Sequence, residues 1–491
     1  MTVPFNTIPN TIRCPLFYAE MDNSKAGTFS ATYRTLILGQ VLSNSSAVVN
    51  EPVYISSKET AKNKFGQGSQ LAQMVESYLK NNSSVEVYCL PIADPASGTA
   101  AAGAFTISGT ATEAGVLSLY VYDTVVQVGI GEGDTADQIA TAAAAVINAN
   151  ADLPVTAAAS EGSVTVTAKN KGICGNDIIL SVNLLGETNG EKTPAGVTIG
   201  TTQPTGGAGN VTLATAISNL GEEQYDFIIS AFTDATSLTA LREYMNDATG
   251  AWSYSKQLYG HVWGAYRGTV SAAQTLGAGL NDQHLSILPI NGTNTPIWCV
   301  AAALAGASAT SIAADPARPL QTLQLNGVSA PSRTNRFTLT ERETLLKNGM
   351  STYTVVNGVV QIERVITTYQ KNGYGQADNS YLSVETLYTS AYVLRYLRSI
   401  ITSKYGRHKL ADDGTKFGEG QAIATPKIIK AELIAAYQAL ENLGLVENEE
   451  DFKAGLIVER NINDRNRLDV LFDPDYVNQL NVFALLNQFR L

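Results

Sequence analysis

The pattern of apolar and polar positions changes character twice along the chain, and each change marks a different kind of element. Residues 33–42 (YRTLILGQVL) are almost continuously apolar, as in a strand buried on both faces. In FGQGSQLAQMVESYLKNN (65–82), Leu71, Met74, Val75, Tyr78 and Leu79 recur at i, i+3, i+4, i+7 and i+8, so a helix is expected. VEVYCLPI (85–92) reads as a second strand. The same alternation resumes after residue 208. ATAISNLGEEQYDFIISAF reads as helix then strand, TSLTALREYMNDA as a helix, and KQLYGHVWGAY and HLSILPI as strands. Strands alternating with helices point to an α/β layer with a largely parallel sheet.

Residues 97–207 differ. Apolar residues there alternate with Thr, Ser and Gly in short runs: GVLSLYVYDTVVQVGI, GSVTVTAKN and NDIILSVNLLG. One Ala-rich helix, TADQIATAAAAVINANAD, interrupts them, with Thr135 or Asp134 as its cap and Gln138 three residues after Thr135. The stretch GVTIGTTQPTGGAGN looks like a closing linker. Because the host pattern resumes on the far side, a mostly-β domain inserted into an α/β host is expected.

The last third has its own pattern. TYTVVNGVVQIERVITTYQ reads as a hairpin turning at Asn357-Gly358, a dipeptide suited to a type I′ turn. In SVETLYTSAYVLRYLRSIIT (383–402), Val384, Leu387, Ala391, Leu394 and Ile401 form one helical stripe. A further helix should begin at Thr425-Pro426 and end near Gly444, burying Ile429, Leu433, Tyr437 and Leu440. The remainder reads as strand, turn, strand, proline break and a final apolar segment.

Charge sharpens this division. Charged residues make up only 16% of the chain, against about 25% in typical domains, and the formal net charge is −11. Residues 97–207 hold 3 basic and 10 acidic residues, and residues 208–330 hold 4 and 8, whereas 331–491 balance 19 against 19. With no basic run, nucleic acid is an unsuitable ligand, and docking on anionic membranes is equally disfavoured. The start has early prolines and no apolar run of signal-peptide length. Residues 292–314 carry no charge over 23 positions, but Ala, Ser, Thr and Gly dominate them, so a buried helix is expected and not a membrane span.

Candidate chemistry is sparse. Cys14, Cys89, Cys174 and Cys299 are widely spaced, indicating reduced thiols and neither a zinc site nor a disulfide framework. His261, His284 and His408 have no partner at metal-ligand spacing. Asp412-Asp413 and Glu449-Glu450-Asp451 read as solvated loop charges. Gly129–Gly133 lacks phosphate-loop spacing, and Glu132 and Asp134 would repel phosphate. No catalytic residue, cofactor or metal ligand is indicated.

The two ends are unusually apolar. Ile8, Ile12, Leu16 and Phe17 lie among Pro4, Pro9 and Pro15, and the last residues include Val482, Phe483, Leu485, Leu486, Phe489 and Leu491. Such segments must be buried on their own domain or on a neighbour by strand addition.

At these ends the chain resembles a known family. IPNTIRCPLFYAEMDNSKAG followed by YRTLILGQ, then FGQGSQLAQM, DPARPLQTLQLNGVSAP, RFTLTERETLLKNGMSTYTV, YGRHKLADDGTKFGEGQAIATPK, FKAGLIVERN and NRLDVLFDPDYVNQLNVFALLNQFRL are similar to the contractile-tail sheath proteins of Mu-like bacteriophages. The match runs in order along most of the chain and is weakest across 97–207. The resemblance implies a structural protein that polymerises as stacked hexameric rings around a tail tube and contracts to drive the tube through the bacterial envelope.

It further implies an N-terminal arm (1–20) and a C-terminal arm (472–491) that add strands to a neighbour, with 350–370 and 455–471 as the receiving sheet. The implied partners are other copies of the chain, the tube protein, and baseplate and terminator proteins. The implied location is the virion tail, assembled in the host cytoplasm. Tyr388, Arg395, Arg398, Lys404, Arg407, His408 and Lys409 gather basic charge on and after one helix. Arg395, Arg398, Lys404 and Arg407 are candidates to face an acidic tube, although cations also simply favour a helix C-terminus.

The expected fold class is thus α/β, or α+β overall. An α/β core domain (21–96 and 208–330) carries an inserted mostly-β outer domain (97–207), followed by an α+β assembly domain (331–471) between extended arms. A surface-binding protein with an adhesive insert, or a hydrolase on the α/β core, are the readings from other classes.

Overall fold

A computed structural model describes residue 14 and residues 17–19, 31–418 and 420–490. Apolar runs without alternation supply the centre of the molecule. β1 (Arg34–Gln40) is followed by the short strand β2 (Val53–Ile55), helices α1 (Lys58–Phe65) and α2 (Gln70–Leu79), and β3 (Glu86–Ile92). Each helix opens on a serine whose hydroxyl accepts a backbone N–H, Ser57 from Thr60 and Ser69 from Ala72. The single helix expected over 65–82 is therefore shorter. It is preceded by a turn in which Gly66 and Gly68 take positive φ, a conformation that excludes helix.

The insert follows with β4 (Ala102–Gly109), β5 (Gly115–Val121), β6 (Thr124–Ile130), α3 (Ala136–Ala149), β7 (Val155–Ser160), β8 (Ser163–Ala168), β9 (Leu180–Val182) and β10 (Val197–Thr205). These form two antiparallel sheets, ordered β10-β4-β8-β7 and β6-β5-β9. α3 starts with the reciprocal Thr135–Gln138 capping box and buries Ile139, Ala140, Ala143 and Ile147. The stretch expected as a linker is instead the nine-residue strand β10. Its Thr-rich, β-branched composition suits a sheet edge, and its Gly and Pro misled the reading.

The chain then returns through α4 (Ala214–Ser218), β11 (Phe227–Ser230), α5 (Ala235–Met245), β12 (His261–Arg267), α6 (Val270–Ala278), β13 (Leu285–Ile290) and α7 (Ile297–Ala314). One six-stranded sheet results, ordered β13-β12-β11-β1-β3-β2. Its strands are parallel except β2, and β1 lies directly between β3 and β11. Strands from both sides of the insert thus complete one sheet. α7 passes by length and apolarity for a membrane span, yet 72% of it is buried against this sheet and α2.

The final part holds α8 (Leu339–Lys347), the hairpin β14 (Thr352–Val356) and β15 (Val359–Arg364), and α9 (Val384–Tyr405). It continues with β16 (Lys409–Leu410), β17 (Ile423–Ala424), α10 (Pro426–Asn442), β18 (Val446–Glu447), α11 (Glu449–Gly455), β19 (Ile457–Arg460), β20 (Leu468–Leu471) and β21 (Asp475–Tyr476). Asn357 and Gly358 both have positive φ, as the hairpin turn requires. Ile429, Leu433, Tyr437 and Leu440 are buried on α10 as expected.

Two hydrophobic clusters organise the molecule. The first joins the central sheet and the insert and continues through the β14–β15 hairpin to Val384 and Tyr388. The second takes Ala317 and, from α9, Val393, and is built on α10, β18 and α11. The packing therefore changes within α9, later than the boundary expected at 331. On α9 itself Leu394 is 40% exposed, and Val393 takes the inward position expected for it.

Candidate functional site

The most exposed apolar feature of the described chain is its end. β20 leads into Phe472, which packs at 5.0 Å from Phe452, and Phe452 stacks on Tyr437 at 3.8 Å. β21 pairs with β18, and Asn448 donates to Asp475 at 2.6 Å. Gln321 then donates to the Leu480 carbonyl at 3.1 Å. Up to Leu480 the segment is thus tied to the rest of its own chain, although the Leu480 side chain is itself 69% exposed. Beyond it, Val482, Phe483, Leu485, Leu486 and Phe489 are 76–81% exposed and no strand is formed. Leu491 lies outside the described residues, as do Ile8, Ile12 and Leu16 of the N-terminal arm. Phe17 is described and is 90% exposed.

The receiving surface expected from 350–370 and 455–471 does not form one sheet. β14–β15 lies against the first cluster, with Tyr353, Val360 and Ile362 buried, whereas β19–β20 is a separate two-stranded sheet against the second. Ile457, Val470 and Leu471 of β19–β20 are exposed. A two-stranded sheet of this kind has open edges on which a further strand can add.

The basic helix divides into two parts. Arg395 points inward. Its guanidinium lies 2.5 Å from the buried Asp226 carboxylate, donates to the Tyr259 carbonyl at 2.8 Å, and sits over the rings of Tyr33 and Tyr259. Asp226 also accepts the Arg34 backbone N–H, and its carbonyl accepts the Tyr388 hydroxyl, so this acid ties α9 to the start of β1. Burial pushes the Asp226 carboxyl above the usual range, against the pull of Arg395. Tyr388 is likewise buried, held by Trp263. Neither Arg395 nor Tyr388 offers a free outward group. A buried acid binds them, and helical spacing alone could not reveal it. Arg398 and Arg407 are exposed and form no ion pair among the described residues, while Lys404 is exposed and pairs with Glu432.

Sequence reasoning missed Asp226, although a lone acid directly before the apolar run FIIS was a signal. Asp412, expected as a solvated loop charge, is exposed in the loop after β16, and it accepts from Arg460 and Arg465 of the β19–β20 hairpin. The Arg460 hydrogen bond holds the Asp412 carboxyl below its usual range.

Catalytic geometry is weak. His261 and Ser286 are hydrogen-bonded at 2.8 Å, but both are buried at 0–1% exposure, where no substrate reaches. His284 pairs with Asp247 and stacks on Trp252. Asp134 folds back to accept the Gly131 N–H, filling the loop that superficially resembled a phosphate cradle. No group of His, Cys, Asp and Glu among the described residues could hold a metal ion, and the four cysteines are free.

Comparison with known proteins supplies the family. The model of the phage tail sheath protein central domain matches residues 206–368, and that of the phage tail sheath C-terminal domain matches residues 376–490. The chain is 42% identical over 494 residues to a Mu-like prophage FluMu tail sheath protein of Haemophilus influenzae, covering 100% of both. Among solved structures it is similar to a sheath tail protein of Desulfitobacterium hafniense (12% identity, 94% of this chain and 100% of that one, TM-score 0.48). It is also similar to one of Listeria innocua (14% identity, 92% and 93% covered, TM-score 0.48). Matched from end to end by a curated relative and over most of its length by the family's two domains, the chain belongs to the phage tail sheath proteins and is a structural protein, not an enzyme.

Proposed function

We propose that this chain forms the contractile sheath of a phage-like tail, as stacked hexameric rings around a tail tube. Baseplate and terminator proteins bound it at the two ends, and it assembles in the host cytoplasm. The observation that carries this reading is the run Val482–Phe489, whose large apolar side chains are 76–81% exposed on their own subunit. Fully burying a side chain of this kind is worth about 1.5–3 kcal/mol, so five of them gain on the order of 10 kcal/mol on a neighbour before ordering costs.

In this reading the arm begins after Leu480 and adds a strand beside a neighbour's β19–β20. Ladder hydrogen bonds would survive rotation of the subunits, so they repack without separating. Residues 1–20 act as the second arm. The exposed Arg398 and Arg407, with Lys404, face the tube, and the acidic insert lies on the outside, where one sign of charge keeps particles apart.

Negative-stain imaging of the purified chain tests the proposal. Rings or hollow tubes are expected. Discrete particles at every protein and salt concentration would overturn it.

A further inference from the structure

The 18-residue helix α7 begins after Pro296 without a side-chain cap of its own. Its first N–H, that of Ile297, donates to Asp177 Oδ2 at 3.1 Å. Asp177 belongs to the insert, far away in sequence. The same carboxylate accepts Nε and Nη2 of Arg267, the latter at 3.2 Å, in a two-pronged contact. Arg267 ends β12, at the carboxyl edge of the parallel sheet, and also donates to the carbonyls of Thr293 and Thr295 in the loop leading to α7. Both charged side chains are largely buried, Asp177 at 13% exposure and Arg267 at 19%.

The position is distinctive. From β1 the chain order runs outward through β3 on one side, and from β11 through β12 and β13 on the other, so the strand order reverses between β1 and β11. Beside Asp177 lies a cavity of about 170 Å³, lined by Gln40 at the end of β1, Phe232 and Thr233 after β11, Tyr266 and Arg267 at the end of β12, and Trp298 in the first turn of α7. In open parallel sheets this crevice, outside the carboxyl ends at the reversal, is where ligands bind. A helix N-terminus joined by a guanidinium is the arrangement that receives an anion.

We propose that the insert is held here as an internal ligand. The Asp177 carboxylate occupies an anion site made by Arg267 and the N-terminus of α7, and closes it to outside anions. Contacts along the same seam orient the insert: Gln40 donates to the Lys171 carbonyl at 2.8 Å, Asn170 donates to the Val41 carbonyl at 3.1 Å, and the Lys171 N–H donates to Asp94 at 2.9 Å. Of the insert residues in these contacts, Asp177 is the one that bonds Arg267. The insert therefore moves with the central sheet as one body, and the site takes a small carboxylate once Asp177 is removed.

The test uses the full chain with Asp177→Ala, its melting midpoint and amide exchange measured in sodium formate and in sodium chloride of equal ionic strength. The variant should melt below the wild type and exchange faster over residues 170–178 and 293–298. Formate, but not chloride, should raise its midpoint saturably, and should do nothing for the wild type or for Asp177→Ala combined with Arg267→Gln. Equal effects of formate and chloride, or no formate effect, would overturn the proposal. Asp177→Asn covers the case in which the alanine variant does not fold. The asparagine keeps the shape and removes the charge, so exchange should quicken at 293–298 while α10 is unchanged. Wild-type exchange at 293–298 would refute the proposal equally.

Discussion

His261, 1% exposed and hydrogen-bonded to Ser286, is held neutral by burial, which takes its pKa well below the ordinary 6.5. A depressed histidine contributes stability above its unfolded pKa and loses it as pH falls below that value. The chain should therefore lose about 1.4 kcal/mol per pH unit below ~6.5 from this group alone. Replacing His261 with Asn should flatten the fall of melting midpoint between about pH 6.5 and 5.5. An unchanged slope would show that other groups dominate. The Asp226–Arg395 pair makes a second prediction. Removing one partner of a largely buried pair leaves the other charge uncompensated, so Arg395→Ala should cost about 3 kcal/mol in urea unfolding. Exposed Arg398 and Arg407 behave oppositely: Glu at both should leave unfolding nearly unchanged and weaken assembly on tubes. Normal assembly by the double variant would remove these residues from the tube-facing surface. Asp226 stands out in the sequence as a lone acid before an apolar run, but which residue each group meets was not legible, because His261–Ser286 and Asp226–Arg395 join residues far apart in sequence and only the fold brings them together.

Elements were legible where local chemistry and packing agree. α10 has a cap, a proline at its first turn and one apolar stripe, and all four residues of that stripe are buried. The Asn357-Gly358 turn and the Thr135–Gln138 box are local signals that no tertiary contact overrides. Thr135→Ala should consequently cost about 1 kcal/mol, read from a shifted denaturation midpoint with an unchanged slope. A shift within error would mean that packing alone holds α3. Failures came where composition and packing diverge. α1 (KETAKNKF) and α8 (LTERETLLK) are too polar to show an apolar stripe, and only their caps betray them. β10 hides behind Gly, Thr and Pro, though antiparallel pairing with β4 needs only its alternation.

At the scale of the molecule, one sheet built from both sides of an insert could be read from the resumption of the α/β pattern. The division of the core could not. α9 contributes Val384 and Tyr388 to one cluster and Val393 to the other, and a single helix gives no sign in sequence of where it changes hosts. The apolar ends were visible as composition, but only the structure separates the stretch through Leu480, tied to its own subunit, from the exposed run after it. That separation carries the account of assembly. The most direct test is a chain ending at Leu480, compared with the full chain by melting and by negative-stain imaging. The account predicts an unchanged melting midpoint and discrete particles where the full chain gives rings or tubes. Tubes indistinguishable from those of the full chain would contradict it.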